Sequence, residues 1–515
     1  MSDHAPNRPA TAQTKTSDLV DPQRARLTAW FIVMLLLVTA FAAALRLYKL
    51  GEPGFWEDEL FTLRDVADLK GKAINAPAKV LGYVPTAIGL WANGVDITAA
   101  RPDEPTQWRS LGFTEWPSRI GSCVVGILTI PVLVWFSRRL LGWRGAILLG
   151  LLIAVAPWHI QWSQSARFYA LQMLFYSLCL ILYFEGTDRG SIRRLLAAYV
   201  CLLLAFMSQP PAILIVAVFA ADWLVALIRR HPVRLGWSGW ISGIVVVAIC
   251  MGLFIYGTTG GRARDWERFA RSDGHKPLIL VMGTAYLLYA PLVAFALTCV
   301  WMLWRQRRTR LGWYLLLAIV APLACLIGLY FKQYVHTRYA FIVLYPCAAL
   351  AALGLDEIYE AVRPRVGRLA GWSAALFVIL ALLLVDYAYF TGGHAWRERW
   401  EPAFAYIEKH NTQHWPVASE RQMIAQYYLR GETTLVAWPG SAEKLAAIDH
   451  PLWLIHRAES ATLGKLDQWV EQSTELKAYF DSRIIQPFSS IRVHYYRPAG
   501  PEVNDPSSNP AAASR

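Results

Sequence analysis

The stretch "APWHIQWSQSARFYALQMLFY", residues 156–176, decides how the chain is read. It joins two apolar runs, at 145–162 and 168–184, each near the ~17–25 residues that a helix needs to cross hydrocarbon. Its middle nevertheless carries His159, Gln161, Ser163, Gln164, Ser165 and Arg167. An arginine among hydrogen-bonding side chains is costly inside a bilayer. The junction therefore reads as a turn at a membrane surface, where Arg167 either snorkels or lines a site.

Working outward, further apolar runs appear at 27–47, 119–137, 195–208, 210–228, 237–256, 278–302, 312–331, 338–355 and 370–390, giving about eleven spans. Pro210 and Pro211 separate the fifth from the sixth, since proline has no N–H to donate within a helix. Composition agrees: 55% of the 515 residues are hydrophobic and 17% charged, too apolar for an ordinary soluble enzyme. The net charge of +13 is not a nucleic-acid signature, because most basic residues sit in short blocks between spans. Arg24 and Arg26, Arg138 to Arg144, Arg189 to Arg194, Arg229 to Arg234, Arg305 to Arg310 and Arg363 to Arg368 mark alternate loops as inside. The N-terminus is then inside and the C-terminal segment outside. The seven cysteines fall in or beside apolar runs without ligand spacing and read as small buried hydrophobes.

The expected architecture is a polytopic α-helical membrane protein. Residues 1–23 form a disordered cytoplasmic tail and 24–390 the transmembrane domain, whose first outer loop is 48–118. Residues 391–500 form a small outer α/β domain, and 501–515 a disordered tail. In the α/β domain "RQMIAQYYLR" and "LGKLDQWVEQSTELKAYF" read as helices, while "TLVAW", "PLWLIH" and "IRVHYYR" read as strands.

Three clusters fall on the outer side. "GEPGFWEDELFTLRD", 51–65, places Asp58 and Glu59 beside Trp56 and Phe61, where a carboxylate held near the bilayer can take a proton from a bound hydroxyl. The opening stretch supplies Gln164, Arg167 and Tyr169. "FKQYVHTRYAF", 331–341, supplies Lys332, His336, Arg338 and Tyr339. The polar loop 257–277 adds more arginines. Outer cations run against the positive-inside rule, so they point to an anionic ligand, and a phosphate matches the arginine fork. A lipid-linked sugar flippase or other polytopic transporter is the alternative reading. The chain shows no clear internal repeat of the kind such proteins carry.

These features together resemble the C-type (GT-C) membrane glycosyltransferases, and more narrowly the bacterial relatives of the protein O-mannosyltransferases and of the lipid A aminoarabinose transferase. The resemblance rests on "FWEDEL", on "SRIGSCVVGILTIPVLVWFSRRLLG", on Pro157 followed by Ser163, Gln164, Arg167 and Tyr169, and on "RYAFIVLYP". It covers roughly residues 27–390. It implies an inverting transfer from a polyprenyl-phosphate-sugar donor to a lipid, glycan or protein acceptor at the periplasmic face of a bacterial inner membrane. Asp58 and Glu59 would be the catalytic carboxylates. Gln164, Arg167, Tyr169, Lys332, His336, Arg338 and Tyr339 would bind substrate. Where relatives often carry a glutamate in the Ser-Gln-x-x-Arg stretch this chain has Ser165, and where they often have a His-Pro-Pro-like motif it has only Pro85. No cofactor is required by this reading, and a divalent metal is left open.

Overall fold

The computed structural model describes residues 29–75, 77–229, 233–259, 277–288, 293, 296, 309–330, 335–392, 398–430, 433–459, 465–481 and 489–498. The predicted terminal tails, most of the polar loop 257–277 and much of the predicted span 278–302 lie outside them. Among the described residues eight helices are long and apolar enough to cross a membrane. Ile192–Ser208 is apolar but shorter, at 17 residues. The chain divides into two compact units. One comprises residues 1–42, 128–158 and 171–380; the other comprises 43–127, 159–170 and 381–515.

The first unit is helical. The predicted spans 119–137 and 145–162 form two helices within Glu115–Ala154, separated by a kink at Gly142, whose φ of 75° suits glycine and few other residues. The second helix ends at Ala154, short of the predicted 162, before Pro157 opens the short helix Pro157–Ser163. Several arginines assigned to inner-face blocks are paired rather than solvated. Arg310 lies 3.6 Å from Asp188 and 3.4 Å from Asp222, and donates to Thr187 Oγ1 at 2.7 Å. Arg139 and Arg194 share Glu185, at 3.4 and 3.1 Å. Arg144 meets Asp356 at 3.3 Å and also Glu360. Such pairing keeps charge tolerable next to apolar helix faces.

The second unit joins the first loop, 48–118, to the C-terminal residues. Helices Glu57–Ala67, Leu69–Asn75 and Val80–Ala92 build the loop. Val80–Ala92 lies very close to the start of Glu115–Ala154. A Cβ on Gly121 would sit 1.7 Å from the Pro85 carbonyl oxygen, and one on Gly89 2.6 Å from that of Pro117, so only glycine permits this approach. The helix Gln422–Tyr428 docks onto the loop. Tyr427 donates to the Phe113 carbonyl at 2.9 Å, and the Phe55 N–H donates to the Tyr428 hydroxyl at 2.5 Å.

The C-terminal residues fold around a five-stranded sheet: β1 (Val417–Ser419), β2 (Leu435–Val436), β3 (Leu452–Glu459), β4 (Glu475–Asp481) and β5 (Ser489–Tyr496). Their order is β2-β1-β3-β5-β4. The β1 pairings are parallel, and the β3–β5 and β4–β5 pairings antiparallel. The predicted helix through "LGKLDQWVEQSTELKAYF" is half correct. Lys465–Ser473 is helical, but 475–481 forms the edge strand β4. Helix-favouring Glu, Leu, Lys and Ala are overridden there by pairing with β5.

His456 and His494 are buried on one face of this sheet, with ring centroids 5.2 Å apart. Burial, then His494 and Arg492, pushes His456 down to about 3; burial and Arg492 push His494 down to about 4. Both rings are thus neutral when folded, whereas an exposed imidazole charges below about 6.5. Their contribution to stability is complete above that pH and is lost as pH falls through it towards the folded values. Hydrogen exchange of the full chain should therefore show β3 and β5 losing protection between pH 7 and pH 5. Unchanged protection would mean that the rings do not govern the sheet's stability.

Candidate active site

The site starts at the first turn of Glu57–Ala67. Trp56, in extended conformation, precedes three consecutive acids, Glu57, Asp58 and Glu59, which suit the positive end of a helix dipole. Successive helical side chains point ~100° apart, so the three diverge, and each meets a different arginine. Glu57 Oε2 lies 3.0 Å from Arg421 Nη1. Asp58 Oδ2 lies 3.9 Å from Arg167 Nη2. Glu59 is gripped in bidentate fashion by Arg119, whose Nε and Nη2 donate at 2.9 and 2.8 Å.

The three pairs differ in character. Glu59 and Arg119 are both fully buried. Arg119 also donates to the carbonyls of Leu50, Pro53 and Gly54, at 3.2, 2.6 and 3.1 Å, and so wraps the turn that enters the helix. Glu59 Oε1 accepts in addition from the Ala166 N–H at 2.8 Å. Sequence reasoning offered Glu59 as a second catalytic carboxylate; the structure places it as a clamp with no exposed oxygen. Glu57 is partly exposed, and burial raises its carboxyl above the usual range against the opposing pull of Arg421. Asp58 is 19% exposed, and its arginine stands beyond hydrogen-bond distance. The Asp58 side chain is less exposed than that of Glu57, at 24%, and more than that of Glu59.

Arg167 reaches Asp58 because the segment before it is pinned. Ser163 packs where a Cβ on Gly126 would lie 2.1 Å from its hydroxyl. Gln164 Nε2 donates to the carbonyls of Arg46 and Tyr48, at 3.1 and 2.7 Å, and its Oε1 accepts from Tyr389 at 3.1 Å. Ser122 donates to the Arg167 carbonyl at 3.1 Å. The Arg167 guanidinium then donates through Nη1 to the Asp58 carbonyl at 2.6 Å and to Thr62 Oγ1 at 2.8 Å. It lies 4.4 Å from the centre of the Phe168 ring, a cation–π distance. Its Nε has no hydrogen-bond partner among the described residues.

The remaining predicted residues fall out as follows. Gln164 is 1% exposed and spends its amide on the protein itself. Tyr169 is equally buried, with its ring 4.1 Å from that of Trp162. His336, Arg338 and Tyr339 lie in the other compact unit, where His336 Nδ1 accepts from the Arg338 N–H and caps the 3₁₀ turn Thr337–Val343. Lys332 lies outside the described residues. Arg119, Arg46 and Arg421 went unremarked in the sequence. Arg46, fully buried in the last turn of Ala29–Leu47, sets its Nη2 2.7 Å from His159 Nδ1. Arg46 and Arg119 were detectable by the signal that flagged Arg167, a cation at the edge of an apolar run. Among the described residues no group of three or more His, Cys, Asp or Glu side chains is placed to share a metal ion.

The polytopic helical part and the small terminal sheet together have the fold of the GT-C membrane glycosyltransferases. The family model for dolichyl-phosphate-mannose-protein mannosyltransferases matches residues 109–256. Among solved structures, the chain is similar to ArnT from Cupriavidus metallidurans in the apo state, at 15% identity and a TM-score of 0.53, covering 92% of this chain and 99% of that one. The same protein bound to undecaprenyl phosphate matches at 14% identity and a TM-score of 0.53, covering 92% and 100%. The oligosaccharyltransferase AglB from Archaeoglobus fulgidus, in complex with an inhibitory peptide and a dolichol-phosphate, matches at 12% identity and a TM-score of 0.54, covering 88% and 73%. No curated protein matches.

Proposed function

We propose that the chain is an inverting glycosyltransferase that moves a sugar from a polyprenyl-phosphate donor to an acceptor hydroxyl or phosphate at the periplasmic face of a bacterial inner membrane. The observation that carries this reading is the meeting of Asp58, on the first loop, with Arg167, from the turn before Tyr169–Arg189: a base candidate beside a planar cation. The fold supports it, as do the undecaprenyl phosphate bound by ArnT and the dolichol-phosphate bound by AglB. Asp58 takes the proton from the acceptor oxygen as that oxygen attacks the anomeric carbon. The bond from that carbon to the donor phosphate breaks, and the polyprenyl phosphate leaves with the electron pair. A single displacement inverts the centre. A phosphate leaves as a stable anion and needs no strong acid, so a fixed guanidinium suffices to offset its developing charge. The roles of His336, Arg338, Tyr339 and Lys332 rest on the sequence resemblance alone.

Arg167→Lys tests the reading. Lysine keeps the charge but loses the fork, and a hydrogen bond to a charged group is worth ~1.5–3 kcal/mol. The variant should raise the donor KM by about tenfold or more, and Arg167→Ala further, at unchanged protein level. A lysine variant equal to the parent at limiting donor would show an arginine that only snorkels. A fall in kcat with donor KM unchanged would reassign Arg167 to holding Asp58.

A further inference from the structure

The edge of the terminal sheet carries a cavity that the proposed transfer does not use. Its volume is about 470 Å³, and Glu471, Leu476, Tyr479, Ser490, Arg492 and His494 line it. That is the size of a small-molecule site. Tyr479 and Arg492 are paired across β4 and β5, as are Leu476 and His494, so the two strands present these side chains on one face. Tyr479 is 64% exposed and adjoins Leu476, itself 49% exposed, so this part of the lining is apolar and open to solvent.

The hydrogen bonding sets the chemistry of an occupant. Thr474 Oγ1 donates to the Val470 carbonyl, and so spends its one proton. The 2.9 Å contact from Thr474 Oγ1 to His494 Nδ1 must then be donated by the ring. The proton sits on Nδ1, and Nε2 is a bare acceptor. His494 is 1% exposed, and its Nε2 has no partner among the described residues. A buried acceptor left in this state costs ~1–3 kcal/mol, so the ring calls for a donor. The neighbouring charges are already matched, because Arg492 and Glu471 form an ion pair. With the histidine neutral and the arginine compensated, the cavity offers no spare cation to an anion. It offers acceptors, a donor fork and an aromatic face.

We propose that this cavity binds a neutral saccharide, with a ring face on Tyr479 and a hydroxyl donating to His494 Nε2. A sugar combines one apolar face with hydroxyls that both donate and accept, which is the combination the lining presents. The inference goes beyond sugar transfer at Asp58 and holds whether or not that transfer takes place.

The test uses the full chain in amphipol, free of maltoside detergent, titrated with gluco-, manno-, galacto- and N-acetylglucosamine hexasaccharides and followed by calorimetry and saturation-transfer NMR. At least one should bind. Tyr479→Ala, at an exposed position that leaves the core intact, should weaken it by roughly tenfold, equivalent to ~1.4 kcal/mol. His494→Phe, which keeps the ring and removes the acceptor, should weaken it comparably. Failure of every hexasaccharide to bind at millimolar concentration overturns the proposal. So does binding that Tyr479→Ala leaves unchanged, or capture of an extended peptide along β4 in place of a saccharide. Because the readout is binding, loss of transfer activity at Asp58 leaves the outcome unaffected.

Discussion

Asp58→Asn is expected to lower sugar transfer by about 10²–10⁴-fold, the usual contribution of a general base, while insertion and folding stay close to normal. Asparagine has the same shape and keeps the helix's first turn. The Asp58 carboxylate stands 3.9 Å from Arg167, beyond hydrogen-bond distance. The cost to the helix is the loss of one of three acids at its positive end, about 0.3–1 kcal/mol. The comparison that isolates chemistry is Glu59→Gln. That variant should accumulate less protein, yet transfer per folded molecule should fall far less. Purified variants assayed with a labelled polyprenyl-phosphate sugar would decide it. Full activity in Asp58→Asn would remove the base from this residue.

Arg119→Ala should have the largest effect on the fold of the second unit. The substitution leaves Glu59 charged and without its fork in a fully buried place, and frees the carbonyls of Leu50, Pro53 and Gly54. Breaking a buried pair from one side costs ~3–5 kcal/mol, enough to deplete the folded protein. Replacing both partners with apolar residues, Arg119→Met with Glu59→Leu, removes the stranded charge and should recover much of that loss. Thermal unfolding of the detergent-purified proteins reads both effects. A single variant as stable as the parent would show that the pair is not what holds the loop.

The apolar runs were legible because a bilayer imposes length and composition on every helix that crosses it. Boundaries were less so. "SRRLLGWRG" reads as a break between spans, and Gly142 does leave helical geometry there, but the helix that follows ends at Ala154 rather than at 162, where Pro157 starts a new one. Strand β4 was hidden because its residues favour helix and its partner β5 lies further along the chain. In the site, Asp58 and Arg167 stood out as an acid and a misplaced cation on one side of the membrane. The division of labour among Glu57, Asp58 and Glu59 was not legible, since three adjacent acids look alike until their partners are known. Those partners come from residues 119, 167 and 421, too distant in sequence for spacing to reveal.

The three acid–arginine pairs also restrict how the base can be re-aimed. Seen down the axis, the first turn of Glu57–Ala67 is a hub with three spokes, each anchored on a different part of the unit. Rolling the helix by one residue would carry Asp58 off Arg167 and drag Glu59 out of its buried fork, so the azimuth of Asp58 is locked. The far end is held as well: Val66 is fully buried, and Asp65 meets Lys72 at 2.6 Å and accepts from the Tyr83 hydroxyl at 2.8 Å. A reactant must therefore come to Asp58, because the helix that carries it is fixed at both ends.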